Sequence, residues 1–167
     1  TTIRALTKLE FAYGLTTKMA ETIGDNSERT LEMLGEILGY VEMTRSALIA
    51  AEARPTTWEN GQVTLDARAL HPLRALLPVW FARINDIIKI VGSHNLLQVS
   101  SQEQMQDPRN MGLLNEFMPG ADGNTAEARS NIFRLAWDFT GSHLGSRNEL
   151  YERNYLSSAR TNRINSH

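Results

Sequence analysis

Apolar residues recur along this chain at steps of three, four and seven, the period of helices that bury one side. From Ile3 to Ile23 the positions Ile3, Leu6, Phe11, Tyr13, Met19 and Ile23, with alanines between them, predict a first helix with one broad buried face. Gly24 supplies its stop, and Asp25-Asn26-Ser27 supplies a turn and an N-cap for the next helix. Leu31, Leu34, Leu38, Val41, Leu48 and Ala51 carry that second, longer helix to Arg54, before Pro55. Gly35 and Gly39 lie one turn apart on it, a spacing that reads as close helix packing rather than backbone approach to a cofactor.

Between Pro55 and Asp66 the pattern changes, and Asn60-Gly61 marks a turn. A short hairpin or irregular excursion is expected there, with Trp58 and Val63 capping the end of the helices. Asp66 then N-caps a short helix reaching about Leu77, interrupted at Pro72, and Pro78 opens a third long helix. Phe81, Ile84, Ile87, Ile88 and Val91 form its stripe, with Arg83, Asp86 and Lys89 outside and Gly92-Ser93 at its end. A loop follows from His94 to Pro108, then a short helix over 109–118, then a loop from Pro119 to Asn124. Thr125 opens the last long helix, where Glu127 suits the positive end of the dipole. Residues 157–167 show no packing pattern and read as a frayed or incomplete tail, which leaves 1–156 as the domain. Four long amphipathic helices predict an all-α fold, a four-helix bundle.

Composition narrows the chemistry. With 167 residues the chain suits one domain, and a net charge of -2 makes no case for nucleic acid or an anionic membrane. No apolar run approaches the roughly 20 residues that span a bilayer. Zero cysteines exclude a disulfide framework and thiolate metal sites, and suit a reducing compartment. The four histidines lack the H-x-x-x-H and E-x-x-H spacings of zinc and di-iron sites, and Glu32 with Glu36 reads as a solvated face, so no metal is expected. Ser142, His143 and Asp138 do not make a hydrolase: adjacent helix residues point apart, and no G-x-S-x-G elbow is present.

The most informative stretch runs from Trp137 to Tyr155. An apolar stripe ends at Phe139, the small polar residues Thr140-Gly141-Ser142-His143 follow, and a charged and aromatic run resumes at Arg147. Gly141 and Gly145 lie four apart, and each costs about 1 kcal/mol against alanine inside a helix. Their smallness predicts close approach by a neighbouring helix or a ligand.

Trp137-Asp138, Gly141-Ser142, Gly145-Ser146-Arg147 and the run Glu149 to Tyr155 resemble the C-terminal signature of the 4-hydroxyphenylacetate 3-monooxygenase family. Ile3-Arg4-Ala5, Lys8-Leu9-Glu10-Phe11, Leu34-Gly35-Glu36, Gly92-Ser93 and Ala126-Glu127-Ala128-Arg129 support the match, which covers nearly the whole chain. The resemblance implies a bundle of the acyl-CoA dehydrogenase C-terminal-domain type, roughly the last third of a longer oxygenase. A start at Thr1 rather than Met fits a processed or excised segment.

The resemblance further implies reduced FAD from a separate flavin reductase, and hydroxylation of a small phenol ortho to its OH with O₂. It places the chain in the cytoplasm, in a homodimer or homotetramer, with the phenol bound mainly by segments outside this chain. No catalytic residue is assigned here. Gly141, Ser142, His143 and Leu144 are expected to line the flavin, with Gly145 and Arg147 positioning the turn. Relatives carry an acid and a phenylalanine where His143 and Leu144 stand, which points to backbone contacts. Arg147 could instead pair with Glu149 or Glu152, and Tyr151 and Tyr155 would cover the bundle end or a subunit interface. Read without the resemblance, Gly141 is a helix kink packed on a neighbour, and the chain could be a non-catalytic helical assembly module.

Overall fold

The computed structural model describes residues 1–155, 157 and 159–165. Helix α1 (Thr2–Ile23) ends where Gly24 takes a left-handed φ of 67°, a conformation that costs other residues steric strain. Asp25 N then bonds Ala20 O at 2.9 Å, which closes the cap. Ser27 accepts from Thr30 N at the start of α2 (Glu28–Ala53), while the Asp25 carboxylate accepts from Ser27 N and the Thr30 hydroxyl. Those bonds, the hydroxyl's first, hold Asp25 below the usual carboxylate range. The four-residue turn folds α2 back along α1, as the sequence predicts.

The buried face of α1 is made of Ala5, Leu9, Ala12, Leu15, Thr16, Met19, Ala20 and Thr22; of the expected stripe Met19 is buried, Leu6, Tyr13 and Ile23 are half-buried, and Ile3 and Phe11 are exposed. Small side chains let α1 sit against α2, α3 and α6 at once. On α2 the buried positions are Thr30, Met33, Ile37, Val41, Thr44 and Ala51, so the expected stripe holds at Val41 and Ala51 and turns outward at Leu31 and Leu38, which are 56% and 39% exposed. A Cβ added at Gly35 or Gly39 would meet nothing within 4 Å, so neither glycine serves close packing within this chain.

Strands β1 (Thr56–Thr57) and β2 (Val63–Thr64) pair antiparallel, Thr56 opposite Thr64. Trp58 and Val63 are 61% and 65% exposed and cap nothing in the chain. Asp66 accepts from Arg68 N and caps a 3-10 turn, Ala67–Leu70, that leads into α3 (His71–Leu97). Pro78 lies inside α3 and starts no new helix. Proline leaves the carbonyl four residues earlier without its N–H donor. Here that carbonyl belongs to Arg74, and the buried Asn162 amide donates to it at 2.9 Å. The stripe Phe81, Ile84, Ile87, Ile88 and Val91 is buried throughout. At Ser93 (φ 44°, ψ -132°) the helical path breaks, and it resumes to Leu97 instead of ending.

A short helix, α4 (Gln102–Gln106) with a Ser101/Gln104 capping box, stands where a loop is expected, and α5 (Pro108–Phe117), capped by Asp107, matches the short helix expected over 109–118. Neither buries a residue. Thr125 caps α6 (Ala126–Thr140), which is followed by α7 (His143–Asn154) and α8 (Ala159–Asn165). The expected frayed tail includes 158, 166 and 167, outside the described residues; α8 lies within it and packs on α3 through Asn162.

The four long helices α1, α2, α3 and α6 surround the core and make the fold all-α. Tyr40 stacks on Trp80 at 4.7 Å between α2 and α3, and Arg83 forks onto Glu36 at 2.9 Å. Glu36 is therefore an inter-helix partner rather than part of a purely solvated face. The bond from Arg83 holds it below the usual carboxylate range, while burial and Glu36 push the Tyr40 phenol up to about 12. No helix among the described residues is long and apolar enough to cross a membrane.

Candidate functional site

The signature stretch is two helices meeting at a turn, not one kinked helix. Gly141 N and Ser142 N both donate to Trp137 O, at 2.7 and 3.0 Å, which ends α6. Ser142 turns extended and caps α7: its Oγ accepts from Gly145 N at 3.1 Å and donates to Asp138 O at 2.8 Å. Both functions of the Ser142 hydroxyl are thereby spent on the turn.

The glycines answer to the chain's own packing. A Cβ at Gly145 would lie 2.8 Å from backbone atoms of Phe139 and Thr140, so glycine lets the first turn of α7 rest on the last turn of α6. At Gly141 a Cβ would lie 2.6 Å from the Trp137 ring. Neither position offers its bare backbone to a planar ligand on the side where a Cβ would point.

What the turn does offer is its outer edge. His143 is exposed and Leu144 is 71% exposed. Their amides belong to the first turn of α7, where N–H groups have no acceptor in the helix itself and the dipole is positive. Arg147 is exposed, and among the described residues it makes no ion pair. The carboxylates it could have met are taken, Glu149 by Arg153 and Glu152 by Arg4 and Lys8.

Glu152 is the feature that sequence reasoning missed. Its side chain is 4% exposed. Arg4 reaches it with both terminal nitrogens, Nη2 at 3.1 Å from Oε2, and Lys8 Nζ lies 2.5 Å from Oε1. Lys8 also donates to Asn148 Oδ1. The Arg4 guanidinium lies 5.0 and 5.1 Å from the rings of Tyr151 and Tyr155, which stack on each other at 4.6 Å. Glu152 raises the Arg4 pKa above its ordinary value. The tyrosines thus cover this α1–α7 junction. Asn148 and Glu152 one turn apart, facing Arg4 and Lys8 one turn apart, were the legible signal.

Beside the cluster lies a groove of about 260 Å³ whose walls include Phe11 of α1, Leu135 and Phe139 of α6, and Leu144 and Gly145 of α7. Phe11 and Phe139 meet at 5.4 Å. Lys8, Asp138 and Asn148 supply its polar rim. The structure therefore brings Leu144 and Gly145 to a shared concave surface with α1, while His143 and Arg147 stand outside the groove lining. Among the described residues no group of three or more His, Asp or Glu is placed to hold a metal ion.

Comparison with known proteins follows the same lines. A family model described as 4-hydroxyphenylacetate 3-hydroxylase C terminal matches residues 1–167. The (3S)-3-amino-3-(3-chloro-4-hydroxyphenyl)propanoyl-[peptidyl-carrier protein SgcC2] monooxygenase of Streptomyces globisporus is 32% identical over 163 residues, 96% of this chain and 31% of the relative. The crystal structure of the oxygenase component of 4-hydroxyphenylacetate 3-monooxygenase complexed with FAD and 4-hydroxyphenylacetate superposes with a TM-score of 0.88. It shares 31% identity over 96% of this chain and 33% of that one. An oxygen-tolerant archaeal 4-hydroxybutyryl-CoA dehydratase from N. maritimus matches with a TM-score of 0.83, over 96% of this chain and 32% of that one. At 16% identity, that likeness shows the fold alone. The chain thus spans about a third of the length of the relatives it matches.

Proposed function

The chain belongs to the 4-hydroxyphenylacetate 3-hydroxylase C-terminal family, and from that premise we propose that it is the flavin-supporting and oligomerisation domain of a two-component aromatic monooxygenase. Its flavin is FAD, reduced by a separate reductase in the cytoplasm, and supplies activation of O₂ for hydroxylating a small phenol ortho to its OH. The phenol is held mainly by parts of the longer oxygenase outside this chain.

The observation that carries the reading is the exposed first turn of α7 beside an aromatic-walled groove. His143 and Leu144 present amides to an anionic or carbonyl edge of FAD, and Arg147 adds an unspent positive charge. Gly141, Ser142 and Gly145 shape the turn: their bonds and close contacts hold the amides in place before any ligand arrives. The chain orients and partly covers the flavin, and by itself moves no proton on the substrate.

The test uses proline to remove a backbone donor, with alanine at the same position as the control for the lost imidazole. Position 143 is the first residue of α7, where a helix tolerates proline, and Ser142 before it is already extended. Relative to H143A, H143P should therefore remove one donor, weaken FAD binding about tenfold and leave the melting temperature unchanged. Unchanged FAD affinity would contradict the assignment. With chemically reduced FAD the isolated chain should bind flavin weakly and hydroxylate nothing; robust phenol turnover would overturn the supporting role.

The second reading is a non-catalytic assembly module. What favours it is the outward face of α2, where Leu31 and Leu38 flank Gly35 and Gly39 with open space at both glycines. That face suits a homodimer or homotetramer contact under either reading. Self-association of this chain with no flavin binding would select the module.

A further inference from the structure

We propose that Lys8, on α1, is the charge partner of the flavin phosphate, with part of the flavin lying along Phe11, Phe139 and Leu144. The inference rests on the reading of the α7 turn as a flavin contact and extends the site to a helix at the opposite end of the sequence.

Charge balance carries it. Arg4 and Lys8 share the single carboxylate of Glu152, so the junction keeps a surplus positive charge. Arg4 is held from both sides, by the Glu152 fork and by the two tyrosine rings. Lys8 is the cation that reaches the groove: its side chain is 26% exposed and lines the rim. An ammonium has three donors. Two are spent on Glu152 and Asn148, which hold the nitrogen in position, and the Tyr151 ring 5.6 Å away is a longer, weaker contact that a phosphate oxygen can displace from the third.

The groove's other features set the orientation. Its body is apolar and aromatic, so it takes a flat apolar group. Asp138 stands on the rim as a negative charge, which keeps a phosphate away from that side and leaves the Lys8 and Asn148 side for it. The start of α7 adds a positive dipole end to the same wall. A groove of about 260 Å³ is smaller than most pockets for whole ligands, so it holds one portion of the flavin rather than the entire dinucleotide.

The experiment titrates riboflavin, FMN and FAD into this chain and into its K8M and K8R variants, following flavin fluorescence at low and high salt. Riboflavin has the ring system without phosphate. In the unsubstituted chain FMN and FAD should bind about tenfold more tightly than riboflavin, as for a charge-assisted contact, and added salt should narrow the gap. K8R should keep the preference, and K8M should erase it while binding riboflavin as before.

Equal binding of all three flavins by the unsubstituted chain overturns the inference whatever the variants do, and so does a preference that survives in a folded K8M. Either result leaves the α7 contact standing, with the groove then covered by protein, from another part of the oxygenase or a second copy. Absence of binding for all three flavins removes the α7 reading and this inference together.

Discussion

A Cβ at position 145 has nowhere to go, because the backbone of Phe139 and Thr140 lies 2.8 Å from where it would sit. At position 39 the same atom would enter open space. The two glycines therefore predict opposite signs in chemical denaturation of this chain. G145A forces α7 off α6 and should cost about 1–3 kcal/mol. G39A removes only backbone freedom in an exposed helix interior and should stabilise by up to about 1 kcal/mol. Loss of stability from G39A would mean that its face is already packed in the molecule measured. Spacing alone could not separate these cases: Gly35 with Gly39 and Gly141 with Gly145 share a four-residue step, and only the tertiary neighbours distinguish them.

At the scale of elements, what was legible is what local chemistry determines. The Gly24 stop, the Ser27 and Thr125 caps and the stripe of α3 all stand as the sequence predicts. The phase of α2 was only partly legible: Val41 and Ala51 are core as expected, but the leucines and glycines nearer its start compete with Met33 and Ile37, and which face is core depends on α1 and α3. Pro78 misled for a related reason. A proline inside a helix normally ends it, unless something else satisfies the carbonyl left behind. Asn162 of α8, 88 positions away along the chain, does so. N162A should therefore cost about 1–3 kcal/mol in thermal or denaturant unfolding. In a P78A background, where position 78 regains its own N–H, the same substitution should cost clearly less; equal costs in both backgrounds would disconnect the two residues.

The whole molecule brings the two ends of the sequence together. Arg4 and Lys8 close on Glu152 and Asn148 beside the groove between α1, α6 and α7. The turn at 141–147 was legible as a candidate site from its small residues, and the structure changes the part each residue plays. Gly141, Ser142 and Gly145 are consumed by the turn, while His143, Leu144 and Arg147 face outward. Lys8 was legible only through its one-turn spacing from Arg4, matched by Asn148 and Glu152 on α7, and Phe11 not at all, since no periodicity within α1 reports what lies across the bundle. The unpartnered face of α2 and the projecting Trp58 mark surfaces this chain leaves open, as fits a segment that spans about a third of its relatives.

The central claim is that FAD meets the outer edge of the α7 turn. It is tested most directly by recording backbone amide NMR shifts of the ¹⁵N-labelled chain as FAD is added. The account predicts that the largest changes fall on His143, Leu144 and Arg147, and saturate together. Saturable changes confined to the α2 face or the hairpin, with those three amides unmoved, would contradict it.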